Sequence, residues 1–445
     1  MPAHSATATS PILTLQFGMS QPGSSRREFL RTVGVTSAAL MAPLPLAAAG
    51  ASERQARFGS TSTGGAHIAA PRGLALAPND FLFESGLTYL QTGSLGPTPR
   101  PVLEKALGAW TTLESNPAAQ GYGPLEHALE EVRAKAAGFL GCKTEEMILT
   151  NCTTEGMNWI AQGLGLAAGD RVLTTDQEHP GGRVCWDYAV RKFGIGLDVV
   201  PIAPGETDTQ AIVLRFLRAI TPKTKVLSFS HLLSSTGLRM PVAELSQLAR
   251  EHGCLAVVDG AQAVGAIAVD LKALGCHAYA TSGHKWLLAP KGTGLLYLSE
   301  ELGARIDPIA LQSGRAGYSA SSGVSSIPSV VGLGAAIDYL TTIGMAKVEA
   351  HNLALRERLH GALAAIPQLS IVSGGAGPTA SPLLSYRLPD AVKSGDLHAR
   401  LRTRHHVEVK VVPGNWFNGQ RISTHLFNTE QDIDALLRAL TAELR

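Results

Sequence analysis

The sequence predicts an α/β protein: a mostly parallel sheet flanked by helices over residues 81–330, then a smaller α+β unit over residues 331–445. Three observations carry this. Short apolar runs alternate with helix-length segments from about Pro101 to Tyr297, the pattern of strands joined by crossover helices. Polar residues able to do chemistry, namely Thr153, His179, His231, Asp259, His284 and Lys285, fall just past the apolar runs. In a parallel sheet those strand ends open a ligand crevice. Beyond Leu333 the rhythm changes to helices with isolated strand-like runs between them.

Taken in order, Glu126 to Phe139 has the spacing of an amphipathic helix. Met147–Thr150 reads as a strand running into a helix that continues through Leu166. Arg171–Thr175, Val226–Ser230, Leu255–Val258 and Ala278–Ser282 are further short apolar strands. In the smaller unit, Gly334 to Tyr339, Ala346 to Ile366 and Gln431 to Arg445 read as helices. Leu383–Arg387 and Val407–Val411 read as strands.

The N-terminus does not belong to this pattern. Arg26-Arg27 precede an uncharged, Ala-rich stretch from Val33 to Ala49, broken by Pro43 and Pro45. Basic, apolar and small-residue regions in that order describe an export signal rather than a membrane helix. The arginine pair resembles a twin-arginine signal, so residues 1–49 are expected to direct the chain to the periplasm or otherwise outside the cytosol. Residues 50–80 read as a flexible connector, rich in Gly, Ser and Thr from Gly59 to Gly65.

Composition narrows the function. Of 445 residues 45% are hydrophobic and 17% charged, with a formal net charge of +2. No basic run points to nucleic acid. The five cysteines have no metal-ligand spacing and no disulfide pattern, and no metal site is expected.

The chemistry converges on two strand ends. Asp259 closes the run Val257-Val258, and Lys285 follows Thr281-Ser282-Gly283-His284. A lysine amine out of water can lose its proton and attack an aldehyde. A carboxylate nearby can keep a pyridine nitrogen protonated and make the ring an electron sink. These are the two demands of pyridoxal 5′-phosphate (PLP). Thr153 and Thr154, at a strand-to-helix junction, suit a phosphate or serve as ordinary helix caps. Ser282 and His284 add donors beside Lys285. His179, after another strand, is placed to stack on a ring or to shuttle a proton.

Ala278 to Leu295, with Ser282-Gly283-His284-Lys285 followed by Gly292-Thr293-Gly294, closely resembles the cofactor-lysine signature of class V aminotransferases. That fold-type I PLP group includes cysteine desulfurases and isopenicillin N epimerase. The resemblance runs from about Leu90 to the C-terminus; Leu90 to Pro97 looks like the family's N-terminal substrate-side loop, and Thr153 to Asn158 is similar to the epimerase-like branch. It implies a large PLP-binding domain, a small C-terminal domain and a homodimer. It further implies that Lys285 binds PLP covalently, Asp259 pairs with the pyridine nitrogen and Gln262 bonds the phenolic oxygen. His179 would stack on the ring, and Trp186 fits the same motif. Thr154, Ser282 and His284 would hold the phosphate. Arg421 would grip a substrate carboxylate, as a planar guanidinium can.

Three positions depart from the family pattern. Val407 stands where the similar desulfurases carry a sulfur-accepting cysteine. Ser234 replaces an asparagine near the cofactor oxygen. Gly323-Val324 lacks a threonine that reaches a neighbouring subunit's phosphate, with Ser325 or Ser326 beside it. The expected activity is transamination or epimerisation of an amino acid or peptide-borne amine, not cysteine desulfuration. The alternatives are carbon–sulfur lysis, tailoring of a peptide siderophore as in similar twin-arginine-exported proteins, and a catalytically silent ligand-binding protein of the same fold.

Overall fold

A computed structural model describes residue 77 and residues 79–444. The expected export signal and nearly all of the connector lie outside the described residues.

The described chain opens with a two-residue strand, β1 (Thr88–Tyr89), and then builds the large sheet. Its strands are β2 (Met147–Thr150), β3 (Arg171–Thr175), β4 (Gly196–Val200), β5 (Thr224–Ser230), β6 (Leu255–Asp259), β7 (Ala278–Ser282) and β8 (Gly294–Leu298). They lie in the order β2-β8-β7-β6-β5-β3-β4. The run from β4 to β7 is parallel, and β8 is antiparallel to both its neighbours. A mostly parallel sheet with helices on both faces is the architecture predicted.

Side chains alternate across this sheet with period two. Val257, Ala278 and Ala280 enter a core beneath the helices Thr153–Gly163 and Pro180–Phe193, together with Met157, Ile160 and Trp186. Ala256, Val258 and Tyr279 enter the larger core on the opposite face. Alternation therefore puts Asp259 on the face of Val257, and Ser282 on the face of Ala278 and Ala280. Asp259 pairs in register with Ala280, so the polar ends of both strands project towards the same two helices.

The C-terminal portion contains β9 (Ser370–Ile371), β10 (Leu383–Arg387), β11 (Val407–Glu408), β12 (Lys410–Val411) and β13 (Gly419–Ser423). An antiparallel sheet runs β12-β13-β10-β9, while β11 pairs in parallel with β1. The single strand predicted over Val407–Val411 is thus two short strands in different sheets. Val407 and Val409 are buried, whereas Lys410 turns towards β13. The helix predicted through Leu166 ends at Gly163, just ahead of Gly165 in a left-handed conformation with φ 64°. The helix predicted from Gly334 begins earlier, at Ile327, with Pro328 in its first turn.

Candidate active site

A cavity of about 260 Å³ opens where the large sheet ends. Its lining includes His179, Ser234, Gln262, Lys285, Lys410 and Arg421. Of the predicted residues, His179, Ser234, Gln262, Lys285 and Arg421 meet at this wall. Asp259 and Ser282 end β6 and β7, and Thr153 opens the helix Thr153–Gly163; none of the three lines the cavity itself.

Lys285 sits on a tight loop. Gly283 N–H bonds Thr293 O at 2.8 Å, Ala289 N–H bonds Gly283 O at 2.9 Å, and Leu288 is held at φ 60°. A buried leucine in that conformation is strained, and the surrounding bonds hold it there. Burial lowers the Lys285 pKa to about 8, against the opposing pull of Asp259. Roughly a quarter of such amines are neutral at pH 7.5, against about one in a thousand for an ordinary lysine. The rate at which apoprotein captures PLP should therefore rise with pH through a midpoint near 8. Stopped-flow absorbance at about 420 nm, where the lysine-bound cofactor absorbs, measures it. A midpoint above 10, as for a free lysine, would contradict the assignment.

Asp259 is buried, and one carboxylate oxygen accepts the Ala261 N–H at 2.9 Å. Burial raises its pKa, while that N–H and Lys285 oppose the rise. Its other oxygen faces Gly182, where any side-chain carbon would collide with it. Behind it, Glu178 accepts from Thr175 Oγ1 at 2.6 Å and Ser230 Oγ at 2.5 Å. Burial pushes Glu178 up to about 7.

His179 caps the helix Pro180–Phe193, its Nδ1 accepting the Gly181 N–H at 3.0 Å. Burial, with the charges of Lys285, Arg421 and Lys410, lowers its pKa to about 4. A neutral imidazole whose Nδ1 is an acceptor suits stacking better than proton shuttling. Trp186 does not reach the cavity: it is fully buried and donates to Ser228 Oγ at 2.8 Å. His231 is likewise internal, bonded to Tyr279 Oη at 2.9 Å.

The helix at Thr153 has no side-chain cap from its N-cap residue, so the amides of Thr154 and Glu155 remain available to an anion. Thr153 itself is tied to Ser282, by its N–H at 3.0 Å and its hydroxyl at 2.8 Å. Thr154 Oγ1 lies over Gly181, and the buried Nδ1 of His284 has no partner. Gln262 is largely committed: it donates to Gly93 O and accepts from Trp286 Nε1, both at 2.8 Å. Ser234 holds Arg421, whose Nη1 donates to the serine hydroxyl at 2.8 Å and carbonyl at 3.0 Å. The serine thus positions the guanidinium. The loop around Gly93 passes close above, so that a Cβ there would stand 2.8 Å from Arg421 Nη2. Ser94 lies in the loop from Leu90 to Pro97 that the resemblance puts on the substrate side, whereas Lys410 and Trp416 were not singled out from sequence and Glu178 was given no role there. Only Lys410 leaves a trace there, as a charge within the apolar run Val409–Val412.

These groups fit PLP. An amine of lowered proton affinity can meet its aldehyde, a buried carboxylate can meet its ring nitrogen, and an uncapped helix start with an unpartnered imidazole can meet its phosphate. Residues 88–436 match the family described as aminotransferase class-V. The chain belongs to that family. It is 32% identical over 392 residues to isopenicillin N epimerase of Amycolatopsis lactamdurans, covering 80% of this chain and 95% of that one. It is 31% identical over 339 residues to a cysteine desulfurase of Salmonella agona, covering 71% and 82%. Its fold is similar to that of the cystine C–S lyase C-DES in complex with cysteine persulfide. The TM-score is 0.72 at 25% identity, covering 80% of this chain and 97% of that one. The protein is a PLP-dependent class V enzyme of fold type I.

Proposed function

We propose that this enzyme removes the proton from the amine-bearing carbon of an amino acid or peptide-borne amine, leading to transamination or epimerisation. The observation that carries the proposal is the placement of Lys285 and Arg421 on one cavity wall. Arg421 is buried, and among the described residues it bonds only Ser94 and Ser234 and no carboxylate. With Nη1 committed to Ser234, its Nε has no partner and its Nη2 makes only a long bond to Ser94, which leaves that edge for a substrate carboxylate in two parallel bonds. The substrate's amine then lies towards Lys285, whose Nζ, with its lowered proton affinity, can take the α-proton. Bound PLP supplies the electron sink that makes this proton acidic. Asp259 would hold the ring's protonated form, and His179 would stack on the ring. Return of the proton to the opposite face of the substrate's α-carbon would give epimerisation, whereas its permanent loss from that carbon with transfer of the amine would give transamination.

Incubating holoenzyme with amino acids and peptide amines in deuterated buffer tests this. Mass spectrometry should find deuterium at the α-position of a true substrate, with a keto acid or inverted amino acid as product. Product formed without α-exchange and without conversion of the cofactor to its amine form would refute it.

Carbon–sulfur lysis is the second reading, supported by the likeness to cysteine desulfurases and to a cystine C–S lyase. Transfer of sulfur to a protein cysteine has less support. Val407 is buried and cannot act as a nucleophile. Cys185, Cys254 and Cys276 are buried and Cys142 is half-buried, while the half-buried Cys152, at the start of the helix Thr153–Gly163, is near enough to Lys285 to act on its charge and is the thiol to inspect first. Persulfide on the protein during turnover of cysteine would favour the desulfurase reading.

The proposal includes export through the twin-arginine route, resting on Arg26-Arg27 ahead of the uncharged stretch from Val33 to Ala49. Changing both arginines to lysine should leave precursor in the cytosol on fractionation. Unchanged periplasmic protein would rule the route out. It also includes a homodimer. An apolar groove of about 460 Å³ lined by Trp110, Tyr122, Tyr318 and Val324, all exposed, is consistent with a subunit contact.

A further inference from the structure

The cavity carries one more positive charge than an ordinary amino acid requires. Three cations line it, Lys285, Lys410 and Arg421, and no acid does. Lys285 is taken by the cofactor, with Asp259 behind it. Arg421 suits one carboxylate. Lys410 remains, and its placement is costly. It stands directly opposite Arg421 in the antiparallel pair of β12 and β13, where side chains share a face at about 5 Å and like charges repel. Burial and the Arg421 charge together lower its proton affinity. The nearby acid, Glu408, is turned away: it accepts from Gln91 Nε2 at 3.0 Å and His398 Nε2 at 2.9 Å. Among the described residues Lys410 has no carboxylate partner. Two unpaired cations side by side form a site for two anionic groups. Val412, Pro413 and Trp416 continue the wall beside them, an apolar surface suited to a short methylene chain.

We infer that the substrate carries a second acidic group and that Lys410 selects it. The α-carboxylate rests on Arg421 and a side-chain carboxylate rests on Lys410, so the substrate class is amino acids with an acidic side chain. This rests on the proposed reading of Arg421 as the carboxylate anchor. A charge-assisted bond of this kind contributes about 1.5–3 kcal/mol, or roughly ten- to a hundredfold in affinity.

The test uses two unreactive probes of equal chain length, glutarate with two carboxylates and n-pentanoate with one. Their binding to holoenzyme is measured by isothermal titration calorimetry. Wild type should bind glutarate about ten- to a hundredfold more tightly. Lys410→Met should bring the two within about threefold by weakening glutarate alone, and Lys410→Arg should keep the preference. Three results overturn the inference while leaving Arg421 as the anchor: equal affinities in wild type, an unchanged preference in Lys410→Met, or equal weakening of both probes in that variant. The last would place Lys410 on the first carboxylate. Failure of wild type to bind either probe would instead strike at the anchor, and the second site would fall with it.

Discussion

Lys285→Ala is expected to abolish covalent cofactor attachment and most or all turnover. The expectation follows from how little else at the site can replace this amine. Among the cavity-lining residues the only other primary amine is Lys410, which lies on β12 in the other sheet, opposite Arg421. The Lys285 amine is held at the end of β7 by a loop whose strained Leu288 and ordered backbone bonds fix its direction. Burial keeps a useful fraction of it neutral. Removing it takes away both the attachment point and the group best placed to hold the α-proton. PLP can still dock by its phosphate on the uncapped helix start at Thr153, so the variant should retain weak cofactor binding without the absorbance band at about 420 nm. Borohydride reduction of wild type, followed by peptide mapping, should fix a pyridoxyl group on the peptide containing Lys285. A label on any other lysine would remove the assignment, as would substantial turnover by the alanine variant.

Asp259→Asn should lower activity by several powers of ten while PLP still binds and still attaches to Lys285. The carboxylate and amide are close in size, so the bond from Ala261 N–H survives. The lost property is charge: an amide cannot hold a proton on the pyridine nitrogen, and without that proton the ring accepts electrons poorly. Placing a carboxylate in this buried position is costly, and a cationic ring nitrogen offsets that cost in the holoenzyme. The variant apoprotein should consequently be at least as stable as wild-type apoprotein to thermal melting, while its activity collapses. That divergence separates an electronic role from a structural one. A PLP-loaded Asp259→Asn protein with near wild-type kcat would show that another group protonates the ring.

Much of this site is readable in one dimension because its signals are local. Ser282, His284 and Lys285 lie within four residues of one another at the end of an apolar strand. Asp259 ends the preceding strand, and the neighbour rule for parallel sheets brings the two together. Strand alternation also determines which face Asp259 and Ser282 share, since a one-residue shift would bury charge in the wrong core. The strands Met147–Thr150, Arg171–Thr175, Ala278–Ser282 and Leu383–Arg387 match the sequence reading residue for residue. The strand Gly294–Leu298 was not read from sequence, where only Gly292-Thr293-Gly294 at its start stood out. Its antiparallel pairing to β7 follows from a tight connection that no helix could fill.

The groups that face the substrate were less legible. Trp186 sits seven residues from His179, about two turns or ~10 Å further along the helix, where it lies on the buried stripe of Cys185 and Ala189 against the sheet rather than at the cavity. Gly93, Ser234 and Arg421 are separated by well over a hundred residues each, and Lys410 meets Arg421 only through the register of two short strands. By itself the sequence determined the fold class and the cofactor end of the site, because strand periodicity and a compact motif act over a few residues. At the substrate end the family resemblance named Arg421 and Ser234, but only tertiary structure decided that Lys410 joins them, because packing a second sheet and the loop around Gly93 against the first converts distant charges into one cavity, and no local pattern encodes that approach.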